Sequence, residues 1–587
     1  MAVRLEWDGK PERVERLSLP FQTVETINES RATRERDAGS LLQAHTDGDA
    51  GHNQLIWGDN KLVMSSLLGE FAGKVKLIYI DPPFDTGADF AYRVAVGDES
   101  VEKLPSILEE HAYRDTWGRG RGSYLSMLYE RLVLMHELLS ESGSLFVHLD
   151  WHQSHYVKVM LDEIFGEGRF LNEIVWWYYN KLQGNINRFA SNHDVVFWYA
   201  KGESHTFHRQ REKRDKPIKQ LKRVWDKQKQ MIVNAKDPVT GKVLYEESTE
   251  RTVDDVWRLS MLQPADRIEN VRYQTQKPLT LAERVISASS DPGDLVADFF
   301  CGSGTGLVAA ERLGRRWIGC DLGRFAIHTT RKRLLNVADC RPFDVKNLGA
   351  YERQRWQIAS GNGALRSYLD TILAFYRAEP VEGFLHLHGR KAHRMVHVGA
   401  TDAPVTTDET EDVMDEMADN GVEACDLLGW EWEMGLHDTI TERARRRGLD
   451  LRPRQIPREV MERQVTEADA VRFFELAHVD LDVRRQQREA CVVLKDFAIP
   501  SEDLIPLKVR ERVESWSDLI DYWSVDFDFS DEVFHNQWQA YRTRDEPSLA
   551  TQSDWHAYPE AGRYAIVVKI IDIFGNDTTK LAEVRIK

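Results

Sequence analysis

Short apolar runs punctuate this chain, and several of them close on an aspartate. Leu77 to Ile80 runs into Asp81, Leu295 to Ala297 into Asp298, and Trp317 to Cys320 into Asp321. Apolar runs this short, bounded by turn residues, predict strands covered on both faces, as inside a parallel sheet. Leu145 to Leu149 and Asp194 to Ala200 read the same way. Tyr124 to Leu139, His155 to Gly166 and Leu307 to Leu313 read as helices beside them. Strand and helix thus alternate from about 51 to 200 and again from 271 to 340, which predicts a doubly wound, mainly parallel α/β sheet built from two separated stretches of chain.

The remaining segments have other patterns. Residues 1–50 are polar, and Glu25 to Asp49 is rich in Glu, Arg, Asp and Gly, which predicts an extended arm. Over 341–515, strand-like Arg394 to Val398, Cys425 to Trp432 and Val471 to Val483 alternate with helical Glu411 to Asp419 and Thr439 to Arg447, predicting an additional α/β domain. Over 516–587, Trp523 to Phe529, Tyr564 to Val568 and a turn at Phe574-Gly575-Asn576-Asp577 predict a C-terminal β-sandwich-like domain, expected to carry a partner or homodimer interface. Trp176-Trp177-Tyr178-Tyr179 should alternate between the two faces of a strand, with half of it in the core.

At 587 residues the chain has room for about three or four domains of about 150 residues each. Its net charge of −17 argues at first against nucleic acid, because phosphate contacts need Lys and Arg. Distribution changes that picture. Between Arg209 and Lys229 ten basic residues stand against three acidic ones, an excess of seven, with Trp225 among them. By itself such a run reads as a solvated face. Arg114, Arg119 and Arg121, set among glycines, read either as a loop able to close over a phosphate or as incidental surface charge. Asp402 to Asp419 carries no Lys or Arg and suits a solvated helix or a partner surface. Five scattered cysteines with no CxxC read as small buried apolar groups in a reducing cytoplasm, and nothing has zinc-ligand spacing, so no metal is expected. No apolar run approaches the ~20 residues of a membrane span, which points to a cytoplasmic protein.

Two strings carry chemistry. Asp81-Pro82-Pro83-Phe84 sets a carboxylate, a rigid backbone carbonyl and an aromatic ring at a strand end. An exocyclic amino group on adenine or cytosine is a weak nucleophile, its lone pair delocalised into the ring. Asp81 accepting one N–H and the Pro82 carbonyl the other would localise that lone pair, while Phe84 stacks on a base rotated out of its helix. Asp298-Phe299-Phe300-Cys301-Gly302-Ser303-Gly304 reads as strand end, glycine turn and helix start, with Asp321 about 20 residues on where ribose hydroxyls are commonly held. That second string alone fits a dinucleotide as well as S-adenosylmethionine. The tetrapeptide, which has no role in hydride transfer, favours the methyl donor. His148 and His155 read as structural, because N-methylation can lose its proton after attack without a strong base.

Together with Ile56-Trp57-Gly58-Asp59-Asn60 and Thr275-Gln276-Lys277-Pro278, these strings resemble the amino-group DNA methyltransferases of the permuted beta type, particularly type III modification subunits, from about Leu55 to Leu335. The resemblance implies a circularly permuted Rossmann-like methyltransferase sheet, with 51–200 as its catalytic half, 201–270 as a target-recognition insertion and 271–340 as its S-adenosylmethionine-binding half. It implies that Asp81, Pro82, Pro83 and Phe84 are catalytic, that Asp298, Phe300, Gly302 and Gly304 cradle S-adenosylmethionine, and that Asp321 holds its ribose. Asp59 is expected at the adenine of the cofactor, and Thr275 and Lys277 along the donor pocket. The family's commoner tetrapeptide ends in Tyr, and Phe84 keeps the stacking face. Asp at position 81 favours adenine N6 in double-stranded DNA over cytosine N4, by direct displacement at the sulfonium methyl. The basic run falls inside the implied target-recognition insertion, where it suits DNA backbone. No GxxxxGK[ST] phosphate loop occurs, so a restriction or helicase function would come from a partner chain. A noncatalytic recognition subunit is the other reading that the long C-terminal extension leaves; the intact tetrapeptide and glycine turn favour an enzyme.

Overall fold

Ile78 and Ile80 pack into one apolar core and their neighbours Leu77 and Tyr79 into another, so the strand that carries them is covered on both sides. The structure, a computed structural model, describes the chain except residues 1–2, 29–51, 85–91, 97–98, 104–120, 182–186, 188, 228, 264, 267, 272, 274, 350–352, 354–363, 402, 434–435, 458–459, 461–472, 476, 500–509, 511–512, 531–532, 543–547 and 574–575. The expected arm beyond Asn28, Arg114 and Arg119, the side chain of Arg121, and the turn at Phe574-Gly575 lie outside the described residues.

The doubly covered strand belongs to an 11-stranded sheet. In chain order its strands are β1 (Gln22–Ile27), β2 (Asn53–Trp57), β3 (Val75–Ile80), β4 (Leu139–Leu149), β5 (Phe170–Trp177), β6 (His193–Ala200), β7 (Val256–Arg258), β8 (Leu295–Asp298), β9 (Arg316–Asp321), β10 (Phe343–Asn347) and β11 (Phe534–Asn536). Their spatial order is β7-β5-β6-β4-β3-β8-β9-β2-β10-β1-β11. Strands β4, β3, β8, β9, β2 and β10 run parallel. Antiparallel β6 and β1 flank them. Helices α1 (Asn60–Phe71), α2 (Arg121–Leu138) and α3 (Ser154–Phe165) cover one face, and α4 (Leu279–Ser289), α5 (Thr305–Arg312) and α6 (Arg324–Leu335) the other. This is the doubly wound, permuted sheet expected from the sequence. The later strand β8 returns to lie between β3 and β9. Among the described residues no helix is long and apolar enough to cross a membrane.

The insertion between β6 and α4 forms two antiparallel ribbons: Arg211–Leu221 with Tyr245–Thr252, and Arg223–Asp226 with Met231–Asn234. The basic run is thereby divided. Lys213 and Lys219 stand opposite Glu250 and Glu247, so the first ribbon balances much of its own charge, whereas the second carries Lys222, Arg223, Lys227 and Lys229 around an exposed Trp225–Ile232 cross-strand pair.

After β10, strands Gly389–Lys391, Arg394–Val398, Ala424–Gly429 and Asp450–Gln455 join one sheet, accompanied by helices Ala364–Tyr376, Thr407–Asp419 and Leu436–Arg446. The acidic helix has an internal partner: Glu411 and Asp415 pair with Arg443 and Arg447. The additional α/β domain ends sooner than expected. Strands His478–Gln486 and Glu489–Ala498 share one core with Ile520–Phe529, Gly562–Asp572 and Asp577–Ile586, so the β-sandwich begins near residue 478 and not 516. Val471 to Val483 therefore does not form a single strand of the α/β sheet. Residue Phe474 pairs there, while Val479 packs in the sandwich.

Candidate active site

Parallel strands project their carboxyl ends toward one edge, and a crevice opens there when neighbours come from different parts of the chain. Strands β3 and β8 are such neighbours: Leu77 pairs with Val296 and Ile78 with Ala297. This register brings Asp81, just past β3, to the same edge as the turn that follows Asp298. Strand β9 adds Asp321 on the far side, and β2 follows with Gly58 and Asp59. Both strings that carry chemistry in the sequence thus meet at one sheet edge.

The glycine turn is held by a closed set of hydrogen bonds. Asp321 accepts from Gly302 N and Gly323 N, each at 2.8 Å. Thr330 donates to the Gly302 carbonyl at 3.0 Å, and Arg333 to the Ser303 carbonyl at 2.8 Å, both from α6. Gly304 has φ +75° as it caps α5, and a Cβ there would lie 2.6 Å from Thr330. A Cβ on Gly302 would touch the Tyr273 ring at 3.4 Å. Phe300 donates its N–H to Asp298 at 3.1 Å, and its half-buried ring packs on the core that holds Phe299. Burial pushes Asp298 up to about 8, against the Phe300 N–H bond and with the charges of Asp81 and Asp321 adding to it. Burial likewise pushes Asp321 up to about 6, against bonds from Gly323, Gly302 and Leu322. Among the described residues no cation offsets either buried carboxylate, and both are suited to a ligand with a positive centre and hydroxyl groups. S-adenosylmethionine has both, so the donor set fits it.

Beside this cradle, Asp81 accepts a hydrogen bond from the Lys277 ammonium at Oδ2, while its buried Oδ1 has no hydrogen-bond partner. Pro82 is buried, and Pro83 and Phe84 are partly exposed. The Lys277 ammonium lies 5.0 Å from the centre of the Phe84 ring. The Lys277 carbonyl accepts from Thr305 on α5 at 3.2 Å, tying this lysine to the donor cradle as well. Lys277, expected along the donor pocket, has its ammonium on the tetrapeptide's carboxylate. Thr275 lies exposed in the preceding turn. Asp59 stands at the end of β2 on the same edge. Its carboxylate caps α1 through Lys61 N and Leu62 N and pairs with Arg131 at 3.0 Å, an arrangement that stabilises the helix start. Its neighbour Asn60 donates to the Phe299 carbonyl at 2.8 Å and links the two halves of the sheet.

Several residues at the site were not picked out by sequence. His148 lies beside Asp81, because β3 pairs with β4 through Ile80 and Val147. Asp194, Tyr178 and Trp176 surround His148 from β6 and from β5 and its continuation. Trp176 and Tyr178 are buried and Trp177 and Tyr179 exposed, as alternation predicts, and the buried pair flanks the site. The only signal for His148 was its place at the end of an apolar run. All five cysteines are free, and four are buried.

The chain is similar to known proteins. The sequence family described as DNA methylase matches residues 75–332. A type II methyltransferase, M.EcaI of Enterobacter cloacae, is 30% identical over 328 residues, covering 48% of this chain and 69% of that protein. The type III restriction-modification enzyme EcoP15I Mod subunit of Escherichia coli is 30% identical over 207 residues, covering 34% of this chain and 30% of its own length. Among solved structures, the M1.HpyAVI–SAM complex aligns with 48% of this chain and 99% of its own at 20% identity and a TM-score of 0.30.

Proposed function

The chain belongs to the DNA methylase family, and from that premise we propose that it transfers a methyl group from S-adenosylmethionine to the N6 amino group of an adenine rotated out of double-stranded DNA. The observation that carries this reading is the meeting of Asp81-Pro82-Pro83-Phe84 with the Asp298–Gly304 turn across the β3–β8 pair. S-adenosylmethionine, when bound, supplies a methyl group on a positively charged sulfur. Gly302 and Gly304 let the turn close tightly against Tyr273 and Thr330, and Asp298, Phe300 and Asp321 line the donor's place. Asp81 accepts one N–H of the target amine and the Pro82 carbonyl the other, which concentrates the lone pair on nitrogen. Phe84 stacks on the base. Lys277 holds Asp81 in orientation through its Oδ2. Positioning and the negative charge of Asp81 opposite a nitrogen that becomes positive supply the acceleration. Asp at position 81 supports adenine over cytosine. The names of the relatives support a place in a restriction-modification system, with any restriction subunit a separate chain.

The test is methyl transfer from labelled S-adenosylmethionine to duplex DNA by the full chain and by Asp81→Ala. The expected loss is about 100- to 1000-fold, the scale seen when one group that stabilises transition-state charge is removed. Equal incorporation by both proteins would overturn the catalytic assignment. Digestion of the product to nucleosides should give N6-methyladenine, and N4-methylcytosine would overturn the choice of base.

A further inference from the structure

His148 is wholly buried between two carboxylates. Its Nε2 lies 3.3 Å from Asp194 Oδ2, and Tyr178 donates to Asp194 Oδ1 at 3.2 Å. Burial works to raise the Asp194 pKa, but the hydrogen bond with His148, then Lys277 and Tyr178, outweigh it and hold Asp194 below the ordinary carboxylate value. An ionised carboxylate only accepts, so Nε2 carries the hydrogen toward Asp194, and in the singly protonated ring Nδ1 is the acceptor. Nδ1 faces Tyr79 OH at 3.4 Å and Asp81 Oδ1 at 3.5 Å. Two acceptors cannot bond to each other, and Asp81 Oδ1 indeed has no hydrogen-bond partner. The pair is one proton short of a hydrogen bond.

We propose that His148, oriented by Asp194, receives through Asp81 the proton that the amine gives up on methylation. This rests on the methyl-transfer reading above. As the nitrogen takes the methyl group, the electron pair of the breaking bond stays with the donor sulfur and the positive charge passes to nitrogen. The nitrogen releases one proton to the Asp81 carboxylate. Aspartate χ2 is a broad, two-fold torsion, so a half-turn brings the protonated oxygen to face Nδ1. The proton then moves to Nδ1, leaving an imidazolium between Asp81 and Asp194. The site keeps its net charge, because a positive ring replaces a positive sulfur. The other titratable groups facing His148 do not compete. Tyr79, on β3, is pushed far up by burial and by Asp81, Asp298 and Asp194, and stays a neutral donor. Tyr178, beyond β5, is pushed up by burial and Asp194. Lys277, ahead of α4, is held on Asp81 Oδ2, and Asp150, on the strand's own end, is engaged by His152.

The test compares His148→Gln, His148→Phe and Asp194→Asn with the unaltered full chain. Expected is a fall in kcat of about tenfold or more in each, with dissociation constants for S-adenosylmethionine and DNA within about twofold of the original. Combining Asp194→Asn with His148→Phe should make the enzyme no slower than His148→Phe alone. Nitrogen NMR of labelled histidine should show the Nε2–H tautomer at neutral pH, and this readout stands even where a variant fails to fold. An Nδ1–H tautomer, an unchanged kcat, or an equal loss of donor affinity would overturn the relay. Full activity in His148→Phe beside an inactive Asp81→Ala would overturn the relay and leave methyl transfer standing; an unaltered chain that methylates no DNA would overturn both.

Discussion

The ring of Phe84 has the Lys277 ammonium 5.0 Å from its centre and the His148 ring edge-on at 5.6 Å. Neither contact involves the hydroxyl that a tyrosine would bring, so the ring face is what this position offers. Stacking on a base is worth about 1–3 kcal/mol by alanine substitution. Phe84→Ala should therefore lower kcat/KM for DNA by about 5- to 150-fold while the dissociation constant for S-adenosylmethionine stays put. A calorimetric titration that finds donor affinity falling in step would refute that division of labour. Asp81 and Phe84 were legible in sequence because adjacent residues with complementary chemistry need no folding to be associated. His148 was not, since its meeting with Asp81 depends on the β3–β4 register, and Asp194 and Tyr178 arrive from two further strands. Local chemistry can be read along a chain, but a buried proton path cannot.

Among elements, the turn from Gly302 to Gly304 is the most constrained. An L residue at Gly304 meets a left-handed backbone, costing about 1–2 kcal/mol, and crowding against Thr330 adds roughly 1–3 kcal/mol. Gly314 also has positive φ but open space around it, so Gly314→Ala carries only the backbone cost. Thermal melts should show Gly304→Ala to be clearly the less stable of the two, and donor titration should show it binding at least about tenfold more weakly; equal behaviour would mean that the Thr330 contact does not matter. The two ribbons of the insertion give a second element-scale expectation. Replacing Lys222, Arg223, Lys227 and Lys229 by Gln should flatten the log–log salt dependence of DNA binding by about 0.9 for each phosphate that is no longer neutralised. Replacing Lys213 and Lys219, which face Glu250 and Glu247, should change it less. The same slope for both sets would return the second ribbon to ordinary solvated surface. The run's excess charge was visible in sequence, but the division between self-balanced and outward-facing halves came from strand pairing.

For the whole molecule, the C-terminal sandwich is joined to the donor half through one buried charge cluster. Glu25 of β1 accepts from Arg331 of α6 at 2.5 Å and from Asn536 of β11 at 3.1 Å, and lies 3.6 Å from Lys569 of the sandwich. All four are buried. Helix α6 also carries Thr330 and Arg333, so the cluster sits behind the glycine turn. Removing one partner of a buried ion pair costs about 3–5 kcal/mol, because the other charge is stranded. Glu25→Ala should lose about that much in urea unfolding at neutral pH. Burial works to raise the Glu25 pKa, yet Arg331, Lys569 and Asn536 outweigh it and hold it below its ordinary 4.5. A depressed carboxylate contributes its full stability above that ordinary value and loses it as pH falls through the folded one. The gap between the two proteins should accordingly close in acid; a gap independent of pH would show that Glu25 acts through packing alone.

The order of the two strings along the chain, and the apolar runs ahead of them, already determined a permuted α/β sheet with a carboxylate and a glycine turn at its strand ends, because burial on both faces leaves a signature within a few residues. Tertiary structure decided what the sequence left open. It seated Lys277 on Asp81, turned Asp59 into a helix cap, moved the start of the sandwich to residue 478, and enclosed His148 between Asp81 and Asp194. Each of these depends on which distant strands pair and in what register, and that choice is made by the free energy of the whole core and not by any stretch of it.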